Sequence, residues 1–188
     1  MFRNQKLNKI IKNIVLLSVS SVVCIVCLKM PAYASYVLPY PSYMPGNKIY
    51  KISRIFDKVK KFWYFGNIAQ LKYHLELSDK YLVEAKTLME YNQYLLGADA
   101  LIRSDDEFNQ LPKYVLGLAP ERVDSHPYQQ LISEAANKHI EVLQTLLLET
   151  PKQFVWTPEK AKATSIPLHD DLEQSLALRK KVSQLIIK

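Results

Sequence analysis

Cysteine is nearly absent from this chain: two residues in 188, Cys24 and Cys27. Their C-x-x-C spacing suggests redox chemistry or zinc in a cytosolic fold. Both lie inside the uncharged, mostly apolar run Ile14 to Leu28, where neither chemistry has a folded context. The rest of the chain has no cysteine, so disulfides are excluded as a brace and the core must hold the fold alone. About 150 residues can bury roughly two thirds of their surface, which is enough. Glycine is also scarce, four in all, and no phosphate-cradling glycine loop can be written from them. H-E-x-x-H, an EF-hand loop, G-x-S-x-G and C-x-x-C-H are all missing, as are the Glu-x-x-His pairs of a di-iron bundle. No catalytic residue and no cofactor are assigned, and the chain reads as non-enzymatic.

Acidic residues are missing from the first 34 positions. These hold five basic residues, Arg3, Lys6, Lys9, Lys12 and Lys29. They supply most of the net charge of +7, because the remainder carries 20 basic against 18 acidic residues. A nearly neutral remainder argues against nucleic acid as a partner. Residues 1–34 read as a secretory signal, with a basic n-region over 1–12, an apolar stretch over 14–28 and cleavage after Ala34 in Ala32-Tyr33-Ala34. The apolar stretch is shorter than the roughly 20 residues that span a bilayer. Val23 before Cys24 is not the small residue that lipidation requires. Retention as an uncleaved N-terminal anchor is the alternative.

Residues 35–46 are rich in tyrosine and proline and predict an extended segment, since proline fixes φ and removes a donor. A helical bundle domain is expected over 47–150, and a C-terminal segment with one main helix over 151–188. The strongest pattern is Ile68, Leu71, Leu75, Ser78, Leu82, Ala85 and Met89, spaced alternately three and four. It predicts a helix with a buried seam, flanked by His74, Tyr81 and Leu88. Before it, Lys48–Phe65 is expected as a helix capped by Asn47 and ended by Gly66. Its apolar line Ile49, Ile52, Phe56, Val59 and Trp63 is expected to pack on the Ile68 seam, leaving its lysines in solvent. A turn is expected over Glu90–Gln93. A helix over Gln93–Leu111 would follow, with Tyr94, Leu95, Ala98, Leu101, Ile102 and Phe108 inward and Pro112 ending or kinking it. Asp105-Asp106-Glu107 reads as a solvated acidic turn.

After the loop Gly117–Ser125, a helix from Ser125 or His126 carries Tyr128, Ile132, Ala135, His139, Val142 and Leu146 at seam spacing, with Pro127 in its first turn. Thr150-Pro151 ends it. A short helix is expected from Thr157-Pro158-Glu159, stopped before Pro167. A last helix over His169–Ile187 carries acids at its start and Arg179, Lys180 and Lys181 near its end, as the helix dipole prefers. It is expected either to dock or to project. No strand is expected. The fold class is therefore all-α, a bundle of about four main helices.

Met44-Pro45-Gly46-Asn47-Lys48-Ile49-Tyr50-Lys51-Ile52 resembles the Leu-Pro-Asp-x-Pro-x-Tyr-x-Leu opening of a secreted bacterial domain-of-unknown-function family. In that family the opening follows a Tyr/Pro-rich stretch, as it does here. Ser78-Asp79-Lys80-Tyr81-Leu82 is similar to its Ala-Asp-Lys-Arg-Leu core, and Lys138-His139-Ile140-Glu141-Val142-Leu143 to its Lys/Arg-His-x-Glu-Val-Leu stretch. The likeness covers residues 36–148, with Met44, Gly46 and Lys48 standing where Leu, Asp and Pro are usual. It implies an exported helical bundle and no activity.

The leading expectation is an exported structural or interaction module of the cell envelope or exterior, binding another envelope protein or surface component. Its contact surfaces would be Tyr36, Tyr40 and Tyr43 of the extended segment and Lys51, Arg54, Lys58 and Lys61 of the basic helix. One alternative is a membrane-surface protein held by an uncleaved N-terminal anchor and the basic amphipathic helix. A second is a metal-binding bundle, for which His74 and His139 are the only candidate ligands.

Overall fold

The computed structural model describes residues 36–41, 43–119, 123–160 and 162–187. The expected signal segment lies outside them. Among the described residues six helices and one small hairpin follow in order: α1 Tyr50–Lys60, α2 Asn67–Glu90, α3 Tyr94–Phe108, α4 Leu111–Leu116, α5 His126–Glu149, β1 Phe154–Trp156, β2 Thr164–Ile166 and α6 Leu168–Ile187. The fold is an all-α bundle of the long helices α2, α3, α5 and α6, with α4 packed against α2, α5 and α6. Tyr36–Lys188 forms one compact unit.

The alternating spacing of α2 does what it predicts. Leu71, Leu75, Ser78, Leu82, Ala85 and Met89 are all buried. The helix stops where expected. Asn92 adopts the left-handed conformation at φ 59°, the Asn92 N–H donates to the Met89 carbonyl and the Gln93 N–H to the Leu88 carbonyl. This pair of bonds satisfies the last carbonyls of a helix, and Asn tolerates the left-handed turn better than most residues. Small residues then let α3 lie close to α2. A Cβ on Gly97 would come within 2.7 Å of the Met89 side chain. Ser78 and Ser104 exchange bonds to each other's carbonyls, 2.9 and 2.8 Å.

The core is layered. One large apolar cluster contains Leu82, Leu101, Leu143, Leu146 and Leu172, a second contains Leu71, Phe108, Leu111, Ile132 and Val182, and a small third one is Tyr73, Leu77 and Tyr81. Each long helix contributes to a polar layer between the two large clusters: Ser78 and Asp79 from α2, Ser104 and Asp105 near the end of α3, His139 from α5, Ser175 and Arg179 from α6. Buried polar groups must find partners, and these find one another.

Four expectations are corrected. The bundle does have four long helices, but α1 is not among them, and α6 takes the place expected for it. The buried line of α6 is Leu168, Leu172, Ser175, Arg179, Val182 and Ile186. It keeps the three-four spacing, but two polar members disguise it. Arg179 is therefore not a solvent-facing partner of the helix dipole; it is fully buried. The short helix near Thr157 is instead an antiparallel hairpin pairing Phe154 with Ile166 and Trp156 with Thr164. Val155, Trp156, Thr164 and Ile166 are residues that suit a pleated strand. Finally, α3 ends at Phe108 with Leu95 and Ile102 facing outward, and Pro112 sits in the first turn of α4, where its missing N–H costs nothing.

Candidate functional site

Helix α1 is turned opposite to the sequence expectation. Ile49, Ile52, Ile55, Phe56 and Val59 are exposed, Ile55 by 61% and Phe56 by 59%. The chain beyond the helix adds Phe62, Trp63 and Phe65, also exposed. The one buried residue of α1 is Asp57. Helical geometry sets the two sides: Tyr50, Ser53 and Asp57 share the face toward the bundle, and Ile52, Ile55, Val59 and Phe62 fall opposite.

The inward face of α1 meets a mixed strip of α2, in which Lys80 and Glu84 alternate with the apolar cluster of Tyr73, Leu77 and Tyr81. Lys80 donates to the Asp57 carboxylate and to Ser53 Oγ at 3.2 Å. Tyr73 donates its hydroxyl to the Asp57 carbonyl at 2.7 Å. Tyr50 donates to Glu84 Oε1 at 2.6 Å. Arg103 of α3 reaches the same Glu84 oxygen at 3.0 Å and lies over the Tyr81 ring. Burial, then the bond to Glu84, pushes the Tyr50 phenol up to about 12, so it stays a donor. Gly66, at φ 83°, turns the chain from α1 into α2. Gln70 pins that turn through the Lys61 carbonyl at 3.1 Å and the Tyr64 carbonyl.

Beside this ionic seam lies a cleft of about 200 Å³ between α1, α2 and α3. Arg54 and Lys58 form its α1 wall, Tyr73, Leu77 and Tyr81 its α2 wall, and Arg103, Asp106 and Glu107 its α3 wall.

The tyrosine candidates separate. Tyr36 donates to Asp79 Oδ2 at 2.5 Å and so ties the extended segment to the polar layer. Burial, helped by the Asp79 charge, holds its phenol well above the usual range. Tyr40 and Tyr43 are exposed. Among the basic candidates, Lys51, Lys58 and Lys61 are exposed, and Arg54 rests over the Tyr50 ring.

The two histidines have separate partners. His74 bonds Glu107 at 2.5 Å and the Tyr114 hydroxyl at 3.2 Å. His139 Nε2 donates to Asp79 Oδ1 at 2.7 Å, and its Nδ1 accepts from Arg179 Nε at 3.3 Å. That arrangement is a neutral imidazole, and burial drives its pKa down. Arg179 completes its bonds on Asp105 and on Ser104 Oγ at 2.8 Å, and Ser175 donates to Asp105 at 2.6 Å. Thus Asp105 and Glu107 are paired and only Asp106 of the three acids faces solvent. Among the described residues no three His, Cys, Asp or Glu side chains are grouped to hold a metal ion, and no helix is long and apolar enough to cross a membrane.

No protein-family model, curated protein or solved structure matches the chain. The feature that sequence reading missed is the outward apolar face of α1. A signal for it existed: Tyr73, Leu77, Lys80 and Glu84 recur at helical spacing along α2 and form a mixed strip that suits a polar neighbour.

Proposed function

We propose that this is an exported, non-enzymatic protein that docks on an anionic membrane surface through α1. One observation carries the reading. The helix presents its large apolar side chains to solvent while its polar side is bound to the bundle. A helix free to choose would bury the apolar side. Contiguous exposed apolar surface rimmed by polar groups marks an interaction site.

Charge selects the occupant. Lys51 and Lys58 border the apolar face, Lys61 is exposed just past the helix end, and the single acid of α1, Asp57, points inward. A helix with apolar residues flanked by lysines lies in the plane of an interface, its side chains in the acyl boundary and its lysines at the headgroups. Each apolar side chain of this size stabilises by about 1.5–3 kcal/mol when fully buried. Each lysine near an anionic surface adds about 1 kcal/mol. Micromolar association needs about 8 kcal/mol, which several such residues supply together even when partly immersed. The basic, apolar leader with its Ala32-Tyr33-Ala34 site supports export to a compartment where such a surface is met. The non-enzymatic reading rests on the polar layer, whose acid, imidazole and guanidinium groups are engaged with one another.

Flotation of the compact unit, expressed from Tyr36, tests the reading. It is expected to float with phosphatidylglycerol vesicles, to do so less at high salt, and to stay behind when Ile55→Glu and Val59→Glu are combined. Absence of wild-type flotation, or a dimer or protein complex dissolved by the same double variant, would assign the face to another occupant.

A further inference from the structure

Resting on the membrane reading, the geometry points to a headgroup site: we propose that the cleft between α1, α2 and α3 receives the phosphoethanolamine headgroup of a membrane lipid, with Arg54 and Lys58 at the phosphate and Asp106 at the ammonium.

Most of the charges lining the cleft are already paired. Asp57 is bound by Lys80, Arg103 by Glu84 and Asp99, and Glu107 is hydrogen-bonded to His74. Lys58 and Asp106 have no ion-pair partner among the described residues, and Arg54 has only the Tyr50 ring beneath it. The groups without an ion-pair partner are thus two cations on one wall and one carboxylate on another, while Arg103 on the α3 wall keeps its buried Nε–H without a hydrogen-bond partner. A plain phosphate would meet Asp106 and the paired acids with no compensating positive end. A plain ammonium would meet Arg54 and Lys58. A ligand carrying a phosphate and an ammonium a few bonds apart satisfies both walls. Guanidinium and ammonium donors suit phosphate oxygens, and a carboxylate accepts from the ammonium.

Position favours a lipid over a free solute. Arg54 and Lys58 occupy the strip of α1 between the ionic underside and the apolar outer face, and Lys58 lies three residues from Ile55 and four from Phe62. A lipid with its acyl chains under that outer face brings its headgroup to this strip.

The test compares vesicles of equal phosphatidylglycerol content whose remaining lipid is phosphatidylcholine or phosphatidylethanolamine. Wild-type protein is expected to bind the ethanolamine set about threefold to fivefold tighter, the range of an exposed ion pair. Asp106→Asn is expected to abolish that difference. No difference for wild type, or the same difference in Asp106→Asn, overturns the site. If wild type binds neither set, the membrane reading fails, and titration with soluble glycerophosphoethanolamine decides the cleft alone. Amide shifts at Lys58 and Asp106 that glycerophosphate does not reproduce support it; none overturns it.

Discussion

At the scale of single residues, His139 is expected to make stability depend on pH. Its imidazole is buried between Asp79 and Arg179, with Phe108 packed on its ring at 5.1 Å. Burial lowers its folded pKa, and the positive charge of Arg179 acts in the same direction, against Asp79. The unfolded chain therefore binds a proton below about pH 6.5 that the folded chain refuses. Stability is complete above that pH and is lost as pH falls through it, by at most about 1.4 kcal/mol per pH unit. Urea midpoints measured between pH 7.5 and 5 should show this slope, and His139→Gln should flatten it. Equal slopes in the two proteins would mean that another group dominates. The seam spacing placed His139 inside the bundle correctly. Its partner Arg179 was not legible, because a charged residue in a basic run at a helix end has an adequate explanation in the dipole. Only the three-dimensional convergence of Asp105, Ser104 and His139 makes an arginine the residue needed there.

Among the elements, α1 is loosely built into the molecule. Its apolar side touches no core, and its hold on α2 is a few long side chains around Asp57 and Glu84. Lys80→Ala leaves the Asp57 carboxylate buried without its cation, a costly state. The helix should then open locally while α2, α3, α5 and α6 remain paired. Trypsin should cleave after Lys58, Lys60 and Lys61 markedly faster in Lys80→Ala than in wild type, with little change in the cooperative melt. A uniform loss of stability without faster local cleavage would show that α1 is part of the main cooperative unit. The amphipathicity of α1 was plain in the sequence, but its orientation was not. Period fixes which residues share a face; it does not say whether that face meets a core or a solvent boundary. The same limit hid the docking of α6, whose line is interrupted by Ser175 and Arg179. By contrast, the end of α2 was legible in Asn92, since few residues accept its left-handed turn.

For the whole molecule, the two large apolar clusters of the bundle are joined by a polar layer, and all four long helices meet at that layer. Polar layers of this kind can fix register, because sliding one helix leaves buried groups unpaired. A close seam runs through Ser78 and Ser104, which are hydrogen-bonded to each other and both fully buried. Ser78→Trp should therefore destabilise by about 1–3 kcal/mol or more by overpacking, read as a lower urea midpoint; a midpoint equal to wild type would mean that the seam yields freely. The helical class and the long helices were readable from spacing alone. The hairpin was not, since two three-residue strands offer too little pattern to stand out. What sets this molecule apart is that its solvent-facing helix is apolar outward while its interior holds a paired ionic layer. The membrane account depends on the first of these, and Trp63, 69% exposed beside the α1 face, reports on it directly. In a Trp156→Phe background, Trp63 fluorescence is measured with phosphatidylglycerol vesicles carrying brominated acyl chains. The account predicts a blue shift and strong quenching on the vesicles, both absent with neutral phosphatidylcholine vesicles and both reduced by high salt. Emission that stays that of a water-exposed indole, with no quenching, would contradict it.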